Sequence, residues 1–237
     1  MRKYILVLII SLSLASYSIA QKTKYHEAST GDETKEIIKT VPSKPGNNAV
    51  ALYNEGIKFK DQKKYSDALA SFKKALAIKP DYREALYYAG WCCNDMEKYT
   101  DAIMYLKKAR AAWPEEAKVY LELGYAYQKE GNKEEAKANY SKCLSLQEDY
   151  ALAYQYLGNL YFGESDYKMA LENYEKYSRY EPNISSPTVY YKMGFCQNDV
   201  NKYDKAVSSF KKALSLKTGY IEAYNEMTAL SYLFTSF

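Results

Sequence analysis

Apolar and polar positions follow two nested periods along this chain. From residue 49 onward, apolar side chains recur at offsets of three and four, the mark of helices with one buried face. That helical pattern itself repeats about every 34 residues. Glycine stands at 56, 90, 124, 158 and 194, at intervals of 34, 34, 34 and 36. Four residues before each glycine are Leu52, Leu86, Tyr120, Tyr154 and Tyr190, and three after it are Phe59, Cys93, Tyr127, Tyr161 and Gln197. Twelve residues after each glycine comes Ala68, Ala102, Ala136, Ala170 or Ala206. Four further on stand Phe72, Leu106, Tyr140, Tyr174 and Phe210, and three beyond those Ala75, Ala109, Cys143, Tyr177 and Ala213. Each unit thus predicts two amphipathic helices joined by a polar turn such as Lys60-Asp61-Gln62-Lys63-Lys64. Pro80, Pro114 and Pro182 stop the second helix in three units and reset the chain.

The small residues have a physical reason. Glycine inside a helix costs about 1 kcal/mol relative to alanine, so five such places would be a standing loss of about 5 kcal/mol without compensation. A missing side chain lets a neighbouring helix come close, and the area so buried returns about 25 cal/mol per Å². The alanine on the second helix is expected at that same contact. One unit cannot bury both of its helices alone, so neighbours must stack.

These residue types at this period resemble the tetratricopeptide repeat (TPR) family, whose units carry a large residue, Gly or Ala, and Tyr on the first helix, then Ala, Phe or Tyr, Ala and Pro on the second. The resemblance covers residues 49–82, 83–116, 117–150, 151–184 and 187–220. It implies an all-α, right-handed superhelical solenoid of about five helix-turn-helix units, closed by a capping helix at 221–237. Departures are scattered. Glu55 stands where unit one should be apolar, Cys93 and Gln197 replace the aromatic after the glycine, and Glu148 and Thr218 replace the proline. Ser185 and Ser186 are a two-residue insertion, expected to bend or loosen the stack between units four and five. The final helix carries Leu230, Tyr232, Leu233, Phe234 and Phe237. Self-association through this apolar end is one expectation, and its folding back onto unit five is the other.

The chain begins differently. Met1-Arg2-Lys3 is cationic, Tyr4 to Ala15 is nearly continuous in apolar residues, and Ser18-Ile19-Ala20 places small side chains before a cut at Gln21. Residues 1–20 read as an export signal. An uncleaved anchor is the alternative, against which stand the interruptions at Ser11, Ser13, Ser16 and Ser18 and a length short for a bilayer of about 30 Å. Residues 21–48 are polar, with Pro42, Pro45 and Gly46, and read as a disordered tether. The expected location is the periplasm or cell envelope in a bacterial host, or else secretion, or anchoring by the uncleaved signal as the only membrane contact.

Composition narrows the chemistry. The net charge is +4, falling to +2 when Arg2 and Lys3 leave with the signal, too little for a nucleic-acid footprint. His26 is the single histidine and lies in the polar stretch, which argues against a catalytic histidine or a His-rich metal site. There is no phosphate-cradling glycine loop, nucleophile elbow, HExxH or CxxC. The expectation is no enzyme, no cofactor and no metal. Cys92, Cys93, Cys143 and Cys196 read as buried free thiols, with disulfide or metal use as the other reading. Asn139-Tyr140-Ser141 and Asn183-Ile184-Ser185 fit the glycan-acceptor pattern, the first blocked inside a helix.

What remains is a surface. There are 28 tyrosines among 237 residues. In the TPR family the concave wall is lined by first-helix residues off the packing face. That resemblance assigns to a groove Tyr53 with Ile57, then Tyr87, Tyr88 and Trp91, then Tyr125. It continues through Gln155, Tyr156, Asn159 and Phe162 to Tyr191, Phe195 and Asn198. Rings with amides suit an extended peptide or protein segment, and they also suit glycan or cell-wall sugars. The other expectation for some of these rings is packing between neighbouring helices. The family's carboxylate clamp for cytosolic chaperones is poorly matched, since Tyr53, Ile57, Tyr88 and Glu122 occupy its places and only Lys118 agrees.

Overall fold

The computed structural model describes residues 48–235. The export signal at 1–20 and the tether up to residue 47 lie outside the described residues, as do the side chains of 233–237. Among the described residues all regular structure is α-helical. Eleven helices follow one another: α1 Ala49–Asp61, α2 Tyr65–Ile78, α3 Arg83–Asp95, α4 Tyr99–Ala112, α5 Ala117–Lys129, α6 Lys133–Leu146, α7 Ala151–Gly163, α8 Tyr167–Tyr180, α9 Pro187–Asp199, α10 Tyr203–Leu216 and α11 Ile221–Thr235.

Each odd-numbered helix packs most extensively on the even-numbered helix after it, and each even-numbered helix packs on the next odd one. First helices also meet first helices, α3 with α5 and α9 with α11, whereas no pair of second helices touches to that extent. The first helices therefore form the inner row of the stack.

The glycines show what holds each pair together. A Cβ added to Gly56, Gly124, Gly158 or Gly194 would come within 2.5–2.7 Å of the ring of Phe72, Tyr140, Tyr174 or Phe210 respectively, and one on Gly90 within 2.5 Å of Leu106 Cγ. The contact lies within a unit, and the bulky side chain sixteen residues later fills it. The alanine of the second helix contributes its backbone, with Ala102 O at 3.3 Å from such a Cβ on Gly90 and Ala136 O at 3.2 Å from one on Gly124.

Two departures from the family pattern are compensated locally. Ser71 Oγ donates to Glu55 Oε2 at 2.9 Å, and Ser209 Oγ donates to the buried Gln197 Oε1 at 2.7 Å. Ser71 and Ser209 hold the same place, one residue before the large ring of the second helix. Cys93 is fully buried where units one, three and four carry a ring. All four cysteines are buried and unbridged. Asn139 is buried in α6, its amide donating to Glu135 O at 2.8 Å.

At the insertion, Ile184 is buried and Ser186 caps α9 by accepting from Val189 N–H at 3.4 Å, with Pro187 in the first turn. On α11, Ala223 and Leu230 are buried against unit five, while Ile221, Tyr224 and Tyr232 are exposed. Leu230 thus belongs to the core and not to an open apolar end. Tyr224 holds the place of Tyr120 and Tyr154, both buried, the latter stacked on Tyr180 of its own second helix at 5.7 Å. No helix of the described residues is long and apolar enough to cross a membrane.

Candidate functional site

The inner row is organised by two columns of the repeat. The residue just after each glycine is Ile57, Trp91, Tyr125, Asn159 and Phe195, and the residue two before it is Asn54, Tyr88, Glu122, Tyr156 and Lys192. Side chains of the first column reach the second column of the following unit. Tyr125 meets Tyr156 with ring centroids 5.8 Å apart, and Lys192 Nζ donates to Asn159 Oδ1 at 2.6 Å.

Rings join the units along this row. Tyr53 lies 6.0 Å from Tyr88, and Tyr88 stacks on Phe72 at 5.8 Å. Tyr156 continues from Tyr125 to Tyr140 at 5.2 Å. Phe162, Tyr167 and Phe195 make a triangle of edge contacts at 5.1–5.5 Å, and Tyr191 links Phe195 to Tyr220. Tyr53, Tyr88, Tyr125, Tyr156, Asn159, Phe162, Tyr191, Phe195 and Asn198 all remain partly exposed. These nine of the twelve expected groove residues lie at the surface.

The other three do not. Tyr87 is 4% exposed, Trp91 8% and Gln155 7%. Tyr87 sits beneath the start of the next unit, with Lys118 Nζ 5.3 Å from its ring centroid and the Glu122 carboxylate close enough to add to the effect of burial on its hydroxyl. Trp91 packs edge-on against Tyr65 at 5.4 Å and is covered by Lys60. The Gln155 amide oxygen is buried and finds no donor among the described residues. Tyr87 and Gln155 share one place in the repeat, three before the glycine, with Tyr53 and Tyr191, and it is buried in units two and four but partly exposed in units one and five.

Between units two and three the link is polar. Asn94 Nδ2 donates to Glu122 O at 3.1 Å and to its carboxylate Oε2 at 2.8 Å, with Glu122 only 4% exposed. Between units four and five, Asn159 Oδ1 accepts from Tyr174 Oη at 2.9 Å as well as from Lys192. Burial lowers the Lys192 ammonium below the ordinary lysine value. Burial, with the Asp61 carboxylate adding, pushes the Tyr88 hydroxyl up to about 12. Burial likewise raises Tyr53, Tyr125 and Tyr191, so these tyrosines of the row are neutral donors and acceptors at physiological pH. Sequence reading passed over Lys192, although the column two before the glycine changes residue type from unit to unit while the packing columns stay apolar. Among the described residues no cluster of His, Cys, Asp or Glu is arranged to hold a metal ion.

Paired helices stacked through repeating Gly-to-ring contacts define a helical-repeat protein of the TPR type. The family model described as "Tetratricopeptide repeat protein 21 C-terminal ARM domain" matches residues 33–228, and the chain belongs to that TPR-like family. No curated protein matches. Among solved structures, one of MamA is 28% identical over 71% of this chain and 91% of that one, with a TM-score of 0.63. A second MamA structure is 30% identical over 68% and 94%, with a TM-score of 0.61. YrrB, described as a TPR protein with an unusual peptide-binding site, is 21% identical over 76% and 91%, with a TM-score of 0.63, and shares the fold.

Proposed function

We propose that this chain is a non-catalytic protein-interaction scaffold whose inner row holds an extended peptide or protein segment. One observation carries the reading: partly exposed rings and amides of successive first helices line one row, joined from unit to unit. Rings already held by neighbours lose little side-chain entropy on binding, so the area they bury counts toward affinity. Asn159, Asn198 and the tyrosine hydroxyls can meet the backbone groups of an extended chain. The fold of YrrB, whose description includes a peptide-binding site, is compatible with this use.

Glycan binding, the other use of such rings, has less support. A sugar needs an open ring face, and the faces of Tyr88, Tyr125 and Phe162 carry Lys60, Lys129 and Lys192 at 5.0, 5.5 and 5.2 Å. Export remains part of the proposal and rests on residues 1–20; sequencing the mature N-terminus should find Gln21 first.

The test is a displayed library of unstructured twelve-residue segments panned against the full chain, with cell-wall fragments titrated in parallel. Selected segments should lose at least tenfold in affinity for the Tyr125→Ser/Phe195→Ser variant while its helical circular dichroism persists. Undiminished capture by that variant would remove the row from the function, and saturation by cell-wall fragments alone would favour the glycan reading.

A further inference from the structure

We infer that the outer face of the second helices is a docking surface for an anionic lipid bilayer, formed by a column of lysines flanked by exposed aliphatic side chains. The inference concerns helices that do not form the inner row and stands apart from what that row holds.

Two residues after the large side chain of its second helix, every unit carries a lysine: Lys74, Lys108, Lys142, Lys176 and Lys212. All five are exposed. Units one, two and five place a further exposed lysine just before it, Lys73, Lys107 and Lys211. The large side chain is fully buried against the glycine of its own unit, so a residue two positions on, about 200° around the helix, faces away from the first helix. None of these lysines meets a carboxylate within 4 Å among the described residues. The helix dipole does not account for them. It favours cations in the last turn, and the last turns of α2, α6 and α10 hold no basic residue. Acids of the second helices gather in the first turn, as Asp67, Asp101, Glu134, Glu135 and Asp204. Only unit four brings acids near the column, Glu172 and Glu175, and Glu175 pairs with Lys202 at 3.7 Å. Asp81, Glu115, Glu148 and Asp149 lie beyond the helix ends, in the turns.

Charge alone suits any polyanion, and the neighbours of the column select lipid. Four residues after each lysine stand Ile78, Ala112, Leu146, Tyr180 and Leu216. Ile78 is 47% exposed and Leu216 39%, and Met104, four residues before Lys108, is 43% exposed. A nucleic-acid backbone offers such side chains nothing. A bilayer interface takes both kinds: aliphatic groups enter the acyl boundary, while lysine stems lie along it and carry their ammonium groups to the headgroup phosphates. The attraction adds from lysine to lysine and decays within a Debye length, so a column carried by successive units matches an extended charged surface. No helix of the described residues is long and apolar enough to cross a membrane, and docking by this face is peripheral, with the inner row left open.

The test floats the full chain with vesicles of phosphatidylcholine alone and with vesicles in which one lipid in three is phosphatidylglycerol. Binding should depend on the anionic lipid and fade with added salt. Lys73→Gln/Lys74→Gln/Lys107→Gln/Lys108→Gln should lower partitioning at least tenfold with helical circular dichroism unchanged. Lys63→Gln/Lys64→Gln/Lys98→Gln/Lys133→Gln removes the same charge from the polar turns and should lower it less than threefold. Ile78→Ser/Leu216→Ser should weaken it severalfold. Orientation is read on the unaltered chain, where anionic vesicles should protect Lys74, Lys108 and Lys212 from acetylation and leave Lys63 and Lys98 reactive. No dependence on the anionic lipid, equal loss in the two fourfold variants, or protection that spares the column would overturn the inference. So would capture of polyglutamate or single-stranded DNA by the column while vesicles stay unbound, which would assign these lysines to a soluble polyanion.

Discussion

Units one to three and units four to five carry the same columns of residues but share their interiors differently. From α2 to α6 the buried side chains form one cluster, which also takes in Ala153, Leu157 and Leu160 of α7. Beyond that the interior divides. Tyr154 and the buried face of α8 join Ile184, Val189, Met193 and Cys196 of the α9 region in a second cluster. Phe210 and its neighbours on α10 join Tyr220, Ala223 and Leu230 in a third. The first division falls within α7, whose Leu157 and Leu160 face one cluster and Tyr154 the next, and the second falls between α9 and α10 inside unit five, while the insertion at Ser185 and Ser186 lies within the second cluster. In a linear array each unit contacts only its neighbours, so segmentation of the core means that the C-terminal pair can open at lower cost than the block before it. The binding row runs across both parts. Its ring contacts with the interior are denser in the first, and the partly buried Lys192 sits in the second.

The largest expected contrast is with pH. Cys92, Cys93 and Cys143 are buried in the continuous core and Cys196 in the segmented one. Burial pushes Cys93 up to about 11, Cys143 and Cys196 up to about 12, and Cys92 further. These thiols are raised above their unfolded value near 9. Their contribution is therefore complete below pH 9 and is lost as pH rises toward the folded values. Each costs about 1.4 kcal/mol per pH step in that window. From pH 9 to 10, where the unfolded thiols pass from half to about nine-tenths ionised, the first block should lose about 3 kcal/mol and the second about 1. Lys192 works in the opposite sense, since its lowered value relieves the second block as pH rises. Trp91 and Trp113, the two tryptophans, both lie in unit two. Tryptophan emission should thus report the first block, and circular dichroism the whole. Urea midpoints by emission should fall more steeply with pH than those of the C-terminal transition, and Cys143→Ala should flatten them. Equal slopes would show that the two parts share one interior.

Next comes packing. A side chain at Gly124 would meet Tyr140, and that ring cannot swing away, because its hydroxyl donates to Gln128 Oε1 at 2.8 Å and Ala136 O closes the other side. Gly124→Val is expected to cost about 3 kcal/mol and to move the emission midpoint. Gly194→Val meets Phe210, which has no such tether, so it should cost less and leave the emission midpoint in place. Gly90→Ala meets the flexible Leu106 and should be the mildest of the three. A smaller effect is expected at the seam. Ser186→Ala removes the 3.4 Å cap of α9 and should cost about 0.5–1 kcal/mol, read as an earlier dichroism transition with unchanged emission.

The columns that make this fold are plain in the sequence because packing repeats: a glycine needs a ring sixteen residues later, and each unit supplies one. The row was harder to read. Tyr87 and Tyr88 are adjacent and about 100° apart on α3, and nothing within their own unit says which is covered. Lys118 and Glu122 of the following unit decide it. Trp91 is withdrawn in the same way by Lys60 and Tyr65 of the unit before. Lys192 escaped notice because a lysine is ordinarily a solvated surface group, and its bond to Asn159 of the preceding unit is visible only in three dimensions. Residue type sufficed where one unit sets the contact and failed where two units share it.

The smallest effect tests whether the turns of the two parts are strained alike. The polar turn of every unit holds one residue in the left-handed region: Lys63, Glu97, Ser165 and Asn201 at φ of 61–62°, and Gly131 at 84°. They are the same place in the repeat, and only unit three fills it with glycine. A side chain other than Asn or Asp pays roughly 1 kcal/mol there. Glycine removes that strain but gives part of it back through the freedom of the unfolded chain. Glu97→Gly should therefore stabilise the first block by about 0.5 kcal/mol, a rise of about 1–2 °C in the emission-detected midpoint. Asn201→Gly should change little, because asparagine tolerates this backbone through its short side chain. The reciprocal change, Gly131→Ala, should cost about 1 kcal/mol. If Asn201→Gly stabilised as much as Glu97→Gly, the turn of unit five would be under strain of its own, and the ease with which the C-terminal pair opens would lie in its turn as well as in its divided core.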